Sequence, residues 1–194
     1  MSYSENFTKS LKPLLAAEGG YVCRASDTGG QTYAGITRRD NPGCAFWSQI
    51  DDICTKMSQK SSNGTDELAR TINKVLSVNQ RAQSEIAECY HARYWLPANC
   101  DSLPWPICAI VFSTAVNCGT VPAKKILQQA LGVVVDGNVG PKTLAAVESA
   151  NQNTLKAKYC DVLTAHYQGI VSKNPAQKPN LTGWLRRVAD LRKL

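Results

Sequence analysis

Residues 107–119, ICAIVFSTAVNCG, restrict more than any other stretch what this chain can become. The run is apolar almost throughout, so as a helix it has no face to offer water and must be surrounded by other elements. It falls short of the roughly 18 to 20 continuous apolar residues that span a bilayer. It therefore predicts the most buried helix of a globular protein, beginning after Pro104 and Pro106.

Other helices follow from apolar spacing. Phe7, Leu11, Leu14 and Leu15 recur at helical intervals toward Gly19, a residue suited to a helix stop. Pro13 either kinks that helix or opens a shorter one starting near Ser10. Thr65, with Asp66 and Glu67 behind it, predicts the start of a long helix. Its apolar stripe is Leu68, Ile72, Val75, Leu76 and Ile86, and it should end before Pro97. Further on come a helix closing on LQQALG, a turn at Asp136-Gly137 and a helix opened by Pro141. The tail WLRRVADLRKL sets Trp184, Val188 and Leu191 on one face of a docking helix. Only Tyr21 to Thr37, punctuated by Gly29, Gly30 and Gly35, reads as a short hairpin or irregular loop. The expected class is mainly α, with one short β-hairpin.

Eight cysteines are many for a chain of 194 residues, and none sit as C-x-x-C, so a zinc ribbon or thioredoxin motif has no support. The even count predicts disulfides in an oxidising workplace, while buried thiols acting as small hydrophobes would also account for it. The start MSYSENFTKSLKPLLAAEGG lacks the apolar run of a secretory signal, which predicts another export route. A net charge of +7 favours an anionic partner. The basic residues are scattered and aromatics make up only 7%, so the stacking surfaces of a nucleic-acid binder are not evident and none is expected as partner. His91 and His166 stand alone, and neither a metal nor a cofactor is expected.

One carboxylate stands out. The spacing of Glu18 from Leu11, Leu14 and Leu15 places it on the apolar face at a helix end, where desolvation raises a carboxyl pKa toward what a general acid needs. Asp27 follows across a glycine-rich turn, in a polar setting beside Thr28, Gln31 and Thr32, where it could stay ionised. Glycosidic cleavage commonly divides labour in this way. Asp-Thr-Gly-Gly is equally an ordinary turn sequence. Tyr21, Tyr33 and Trp47 flank this region and suit either sugar faces or core packing. Asn117 could bond an acetamido group or a buried backbone.

E-G-G-Y at Glu18 to Tyr21, D-x-G-G-x-T at Asp27 to Thr32 and G-I-T at Gly35 to Thr37 together resemble glycoside hydrolase family 108, the N-acetylmuramidases. The resemblance implies a lysozyme-like helical fold and makes Glu18 the catalytic acid. The arrangement is also similar to the Glu-x8-Asp-x5-Thr triad of phage lysozymes. Thr32 falls one residue early for that spacing, with Thr37 as the alternative, and Tyr-Ala-Gly-Ile stands where the family usually has Asn-Tyr-Gly-Ile. A-V-N-x-G at Ala115 to Gly119, L-Q-x-A-L-G at Leu127 to Gly132 and D-G-x-x-G-P-x-T at Asp136 to Thr143 resemble the family's peptidoglycan-binding region, and GWLRRV at Gly183 to Val188 its ending.

The expected organisation is a catalytic part over residues 1–103 and a peptidoglycan-binding-like helical part over 104–194, packed as one compact unit. The expected activity is hydrolysis of the bond between N-acetylmuramic acid and N-acetylglucosamine, with Glu18, Asp27 and Thr32 catalytic and Tyr21, Gln31, Tyr33 and Asn117 contacting substrate. Its rivals are a lytic transglycosylase acting on the same bond and a non-catalytic wall-binding module. The expected partner is peptidoglycan, met by a monomer in the periplasm or at the cell wall. Delivery as a phage endolysin through holin pores, or as an interbacterial effector, would suit the chain. The second route would add an immunity or inhibitor protein or a secretion-system component.

Overall fold

The computed structural model describes residues 3–23, 30–58 and 65–194. Among them are nine α-helices and one small antiparallel sheet. The chain forms two compact units, one of residues 11–91 and one of residues 1–10 with 92–194. No described helix is long and apolar enough to cross a membrane.

Helix α1 (Glu5–Glu18) starts where Ser4 Oγ accepts the Phe7 N–H at 3.3 Å, an N-terminal cap. Pro13 is thus interior to a helix already two turns long, and its ring removes one main-chain bond there. In the unit of residues 11–91 follow β1 (Val22–Cys23), β2 (Gln31–Tyr33) and β3 (Ile36–Thr37), then α2 (Phe46–Ser58), α3 (Thr65–Ser77) and α4 (Gln80–Tyr90). The strands pair in the order β1-β2-β3, with Val22 opposite Thr32 and Tyr33 opposite Ile36. The β2–β3 connection is the two residues Ala34 and Gly35, with φ of 48° and 74°. Positive φ at both positions matches the twist of tight hairpins, and Tyr90 pins this turn by donating its hydroxyl to Ala34 O at 2.9 Å. Phe46, Trp47, Ile50, Ile72, Leu76 and Ile86 form the buried centre of this unit.

The single long helix expected from Thr65 is two helices. Asn79 interrupts it: its Oδ1 accepts the Ala82 N–H at 3.0 Å and caps α4, while its Nδ2 donates to Gln49 at 2.8 Å. A side chain that bonds its own backbone competes with helix continuation. Ile72, Leu76 and Ile86 of the apolar stripe are buried, whereas Val75 is 41% exposed.

In the other unit, α5 (Ile107–Cys118) is the buried helix expected, with residues 107–112, 114 and 115 all buried. It packs against α6 (Thr120–Leu131) and α8 (Gln152–Lys173), with α7 (Pro141–Ser149) beside α6 and α9 (Lys178–Leu191) along α8. Phe7, Trp95 and Phe112 meet edge to face, with ring centres 5.2 to 5.8 Å apart. Gly132 ends α6 in the left-handed region, and Pro141 opens α7. Trp184 stacks on Tyr167, and Val188 and Leu191 are buried, so the tail docks as its pattern predicts.

The bridges expected from the cysteine count are not seen: among the described residues no disulfide joins two cysteines. Several thiols have other partners, Cys89 with Asn41 Oδ1 at 3.5 Å and Cys118 with the Tyr167 hydroxyl at 3.4 Å. Cys100, Cys108 and Cys160 are buried as small apolar groups.

Candidate active site

Helix α1 ends on Glu18 because Gly19 takes φ of +79°, a left-handed conformation that only glycine adopts without strain. The main chain of Glu18 is described; its side chain is not. The next two residues are held from α3. Asn73 Oδ1 accepts the Tyr21 N–H at 2.7 Å. The same carboxamide occupies the space a Cβ on Gly20 would fill, well inside van der Waals contact. E-G-G-Y thus has a physical reading here: one glycine turns the chain and the other admits Asn73.

Tyr21 is buried and its hydroxyl accepts from Gln31 Nε2 at 3.0 Å. Gln31 Oε1 in turn accepts from Arg38 Nη1 at 2.6 Å, and Arg38 grips both Asp51 oxygens at 2.6 and 2.8 Å. Burial, with the Cys23 thiol beside it, pushes the Tyr21 phenol well above its ordinary range, and burial likewise raises Tyr33. Both therefore stay protonated and serve as neutral hydrogen-bonding groups. The Arg38 guanidinium holds the Asp51 carboxyl below the usual carboxylate range.

A cavity of about 400 Å³ opens beside this turn, lined by Gly19, Gly20, Tyr33, Asn73, Ser77 and Gln83, among others. Two of its polar lining groups bond within the protein: Ser77 Oγ donates to Lys74 O at 3.1 Å and Gln83 Nε2 to Leu76 O at 2.9 Å. Among the described residues no cluster of histidine, cysteine or carboxylate side chains is placed to hold a metal ion.

Gln31, Thr32 and Tyr33 form the central strand of the sheet that follows Glu18, and Tyr21, just before β1, meets Gln31 through its hydroxyl. Tyr33 is buried against Phe46 and hydrogen-bonds with Gln83, so its contacts are largely internal. Thr32 is half-buried at the centre of the sheet, and Thr37 donates to Asp40 at 2.7 Å. Trp47 is buried and donates to Asn41 O at 2.7 Å. Asn117 belongs to the other unit, where its Oδ1 accepts from the Tyr167 hydroxyl at 2.8 Å. Asp27 lies outside the described residues. Sequence reasoning missed Asn73, Arg38 and Asp51. Nothing local marks Asn73, whose partner is 52 residues away.

The mainly helical chain with its small antiparallel sheet falls, by sequence match and fold, in the class of lysozyme-like glycoside hydrolases. The sequence matches the family described as glycosyl hydrolase 108 over residues 11–119, and a predicted peptidoglycan domain over residues 122–189. The chain belongs to the glycosyl hydrolase 108 family, as a glycoside hydrolase acting on peptidoglycan. The solved structure of SagA from Brucella abortus is similar over 96% of this chain and 91% of that one, at 26% identity and a TM-score of 0.65. No curated protein matches the sequence.

Proposed function

We propose that the protein is an N-acetylmuramidase that hydrolyses the β-1,4 bond between N-acetylmuramic acid and N-acetylglucosamine, with Glu18 as general acid. The observation that carries this reading is the Glu18-Gly19-Gly20-Tyr21 turn at the end of α1, held by Asn73 through the Tyr21 N–H, in a chain of the glycosyl hydrolase 108 family. A general acid acts only if its carboxyl is held at the leaving oxygen, and a turn anchored from a second helix supplies that constancy. Asp27 and Thr32 are the helpers in this proposal, positioning water or offsetting positive charge on the sugar. Residues 1–103 would cut, while the helices after residue 104 would hold the wall, and Asn117 would contribute there through its own amide.

The +7 charge supports capture of the anionic wall polymer. Lysis of cells would follow from cleavage, whether the protein arrives as an endolysin or as a secreted effector. The test is digestion of purified sacculi with mass spectrometry of the fragments, using wild type and Glu18→Gln. Reducing N-acetylmuramic acid ends from the wild type, and a loss of at least about a hundredfold in the variant, are expected. Anhydro ends would replace this reading by a lytic transglycosylase, and intact sacculi by a binding module.

A further inference from the structure

Gly19 and Gly20 are the two most permissive residues the chain could place directly behind Glu18, and left alone they would be its loosest point. They are not left alone. Asn73, half-buried on α3, accepts the Tyr21 N–H at 2.7 Å, and its carboxamide fills the Gly20 Cβ position. Both contacts come from one side chain on a helix rather than a loop, and the same residue lines the adjoining cavity. Along α3, Ile72 and Leu76 are fully buried to either side of it, so the helix that carries Asn73 is itself anchored in the unit's core.

We propose that Asn73 is a positioning residue for Glu18: by clamping the main chain two and three residues beyond it, Asn73 keeps the acid in register with the bond it protonates. The proposal rests on the reading of Glu18 as general acid. A structural clamp would act on folding and binding alike. A positioning clamp acts on turnover, because displacement of a reacting group by about 1 Å costs on the order of a hundredfold in rate while substrate is still held.

The experiment measures initial rates against sacculus concentration for the full chain and for Asn73→Ala, Asn73→Asp and Asn73→Leu, together with circular dichroism and sacculus pull-down. Asn73→Ala should lower kcat by roughly ten- to a hundredfold with little change in KM or retention. Asn73→Asp still accepts the Tyr21 N–H and should recover most of the loss. Asn73→Leu fills similar volume without an acceptor and should not. A folded Asn73→Ala with wild-type kcat would overturn the proposal, as would Leu serving as well as Asp. The Asp and Leu comparison decides alone if the alanine variant fails to fold. Glu18→Gln runs alongside: if it stays active, the acid assignment fails and the proposal with it. If it is inactive while Asn73→Ala turns over normally, only the positioning role fails.

Discussion

Arg38 and Asp51 form a two-pronged ion pair, 2.6 and 2.8 Å, and the arginine that makes it also reaches Gln31 at 2.6 Å. Gln31, expected from sequence to meet the substrate, is therefore the middle link of a chain running Tyr21, Gln31, Arg38, Asp51. The pair is about half exposed, with side chains 38% and 50% accessible, so its worth is about 0.2 to 1 kcal/mol rather than that of a buried bridge.

The acid dependence of that pair has a definite sign. Hydrogen bonds from Arg38 depress the folded-state pKa of Asp51, so the pair's contribution is complete above the unfolded value near 4 and disappears as pH falls through the depressed one. Melting temperatures of wild type and Asp51→Asn should differ at neutral pH and converge in strong acid. A gap that is unchanged there would mean that the carboxylate's charge contributes nothing.

Gly20→Ala should destabilise the unit of residues 11–91 by roughly 1 to 3 kcal/mol, the usual cost of forcing atoms into filled space. Combined with Asn73→Ala, which vacates that space, the methyl should be tolerated. Urea unfolding of both single variants and the double would then show clear non-additivity. Simple addition of the two costs would show that Gly20 and Asn73 do not compete for one position.

Gln128 is buried, and its amide donates to Asp136 at 2.7 Å and Asn138 O at 3.0 Å while accepting the Gly137 N–H at 2.7 Å. This one side chain ties L-Q-x-A-L-G to D-G-x-x-G-P-x-T, which gives both motifs a structural role. Gln128→Leu should cost about 1 to 3 kcal/mol for the buried N–H left without an acceptor. A denaturation midpoint equal to that of wild type would show that the turn holds itself.

Thiol reactivity should sort by burial. Cys108 is pushed up to about 11, and burial raises Cys100 and Cys160 as well, so few of these thiols ionise near neutral pH. Cys23 is exposed. Alkylation of the native protein read by mass spectrometry should label Cys23 and spare the three buried cysteines until denaturant is added. Labelling of Cys108 as fast as Cys23 would contradict the packing described.

Retention on sacculi should fall as salt rises, because the range of attraction between a +7 protein and an anionic polymer shrinks from about 10 Å at 0.1 M to about 3 Å at 1 M. A pull-down across a salt series reads this directly. Retention independent of salt would assign wall capture to specific contacts alone.

Much of the framework was legible from residue order, for reasons local to the chain. Gly19 and Gly132 take the left-handed conformation that stops a helix, Pro141 opens one, and the apolar run at 107–118 could only be a buried helix. Glu18 at the end of α1 follows from the same spacing. Where side chains compete with the backbone, the pattern misled: the stripe from Leu68 to Ile86 reads as one helix, and Asn79 divides it. Helix α8, 22 residues long, goes unread although its buried residues Leu155, Tyr159, Leu163 and Tyr167 recur at every fourth position, a helical spacing.

The partners of polar side chains were decided only by the tertiary structure. Asn73, Arg38 and Gln128 all stand where polarity ordinarily means solvent, and periodicity says nothing about which distant donor will be brought to each. The chain itself specifies turns, stops and apolar faces, since those depend on φ preferences and spacing within a few residues. The clamp on Gly20 and Tyr21 depends instead on folding α3 against a segment 52 residues away, which is a property of packing and of no local run.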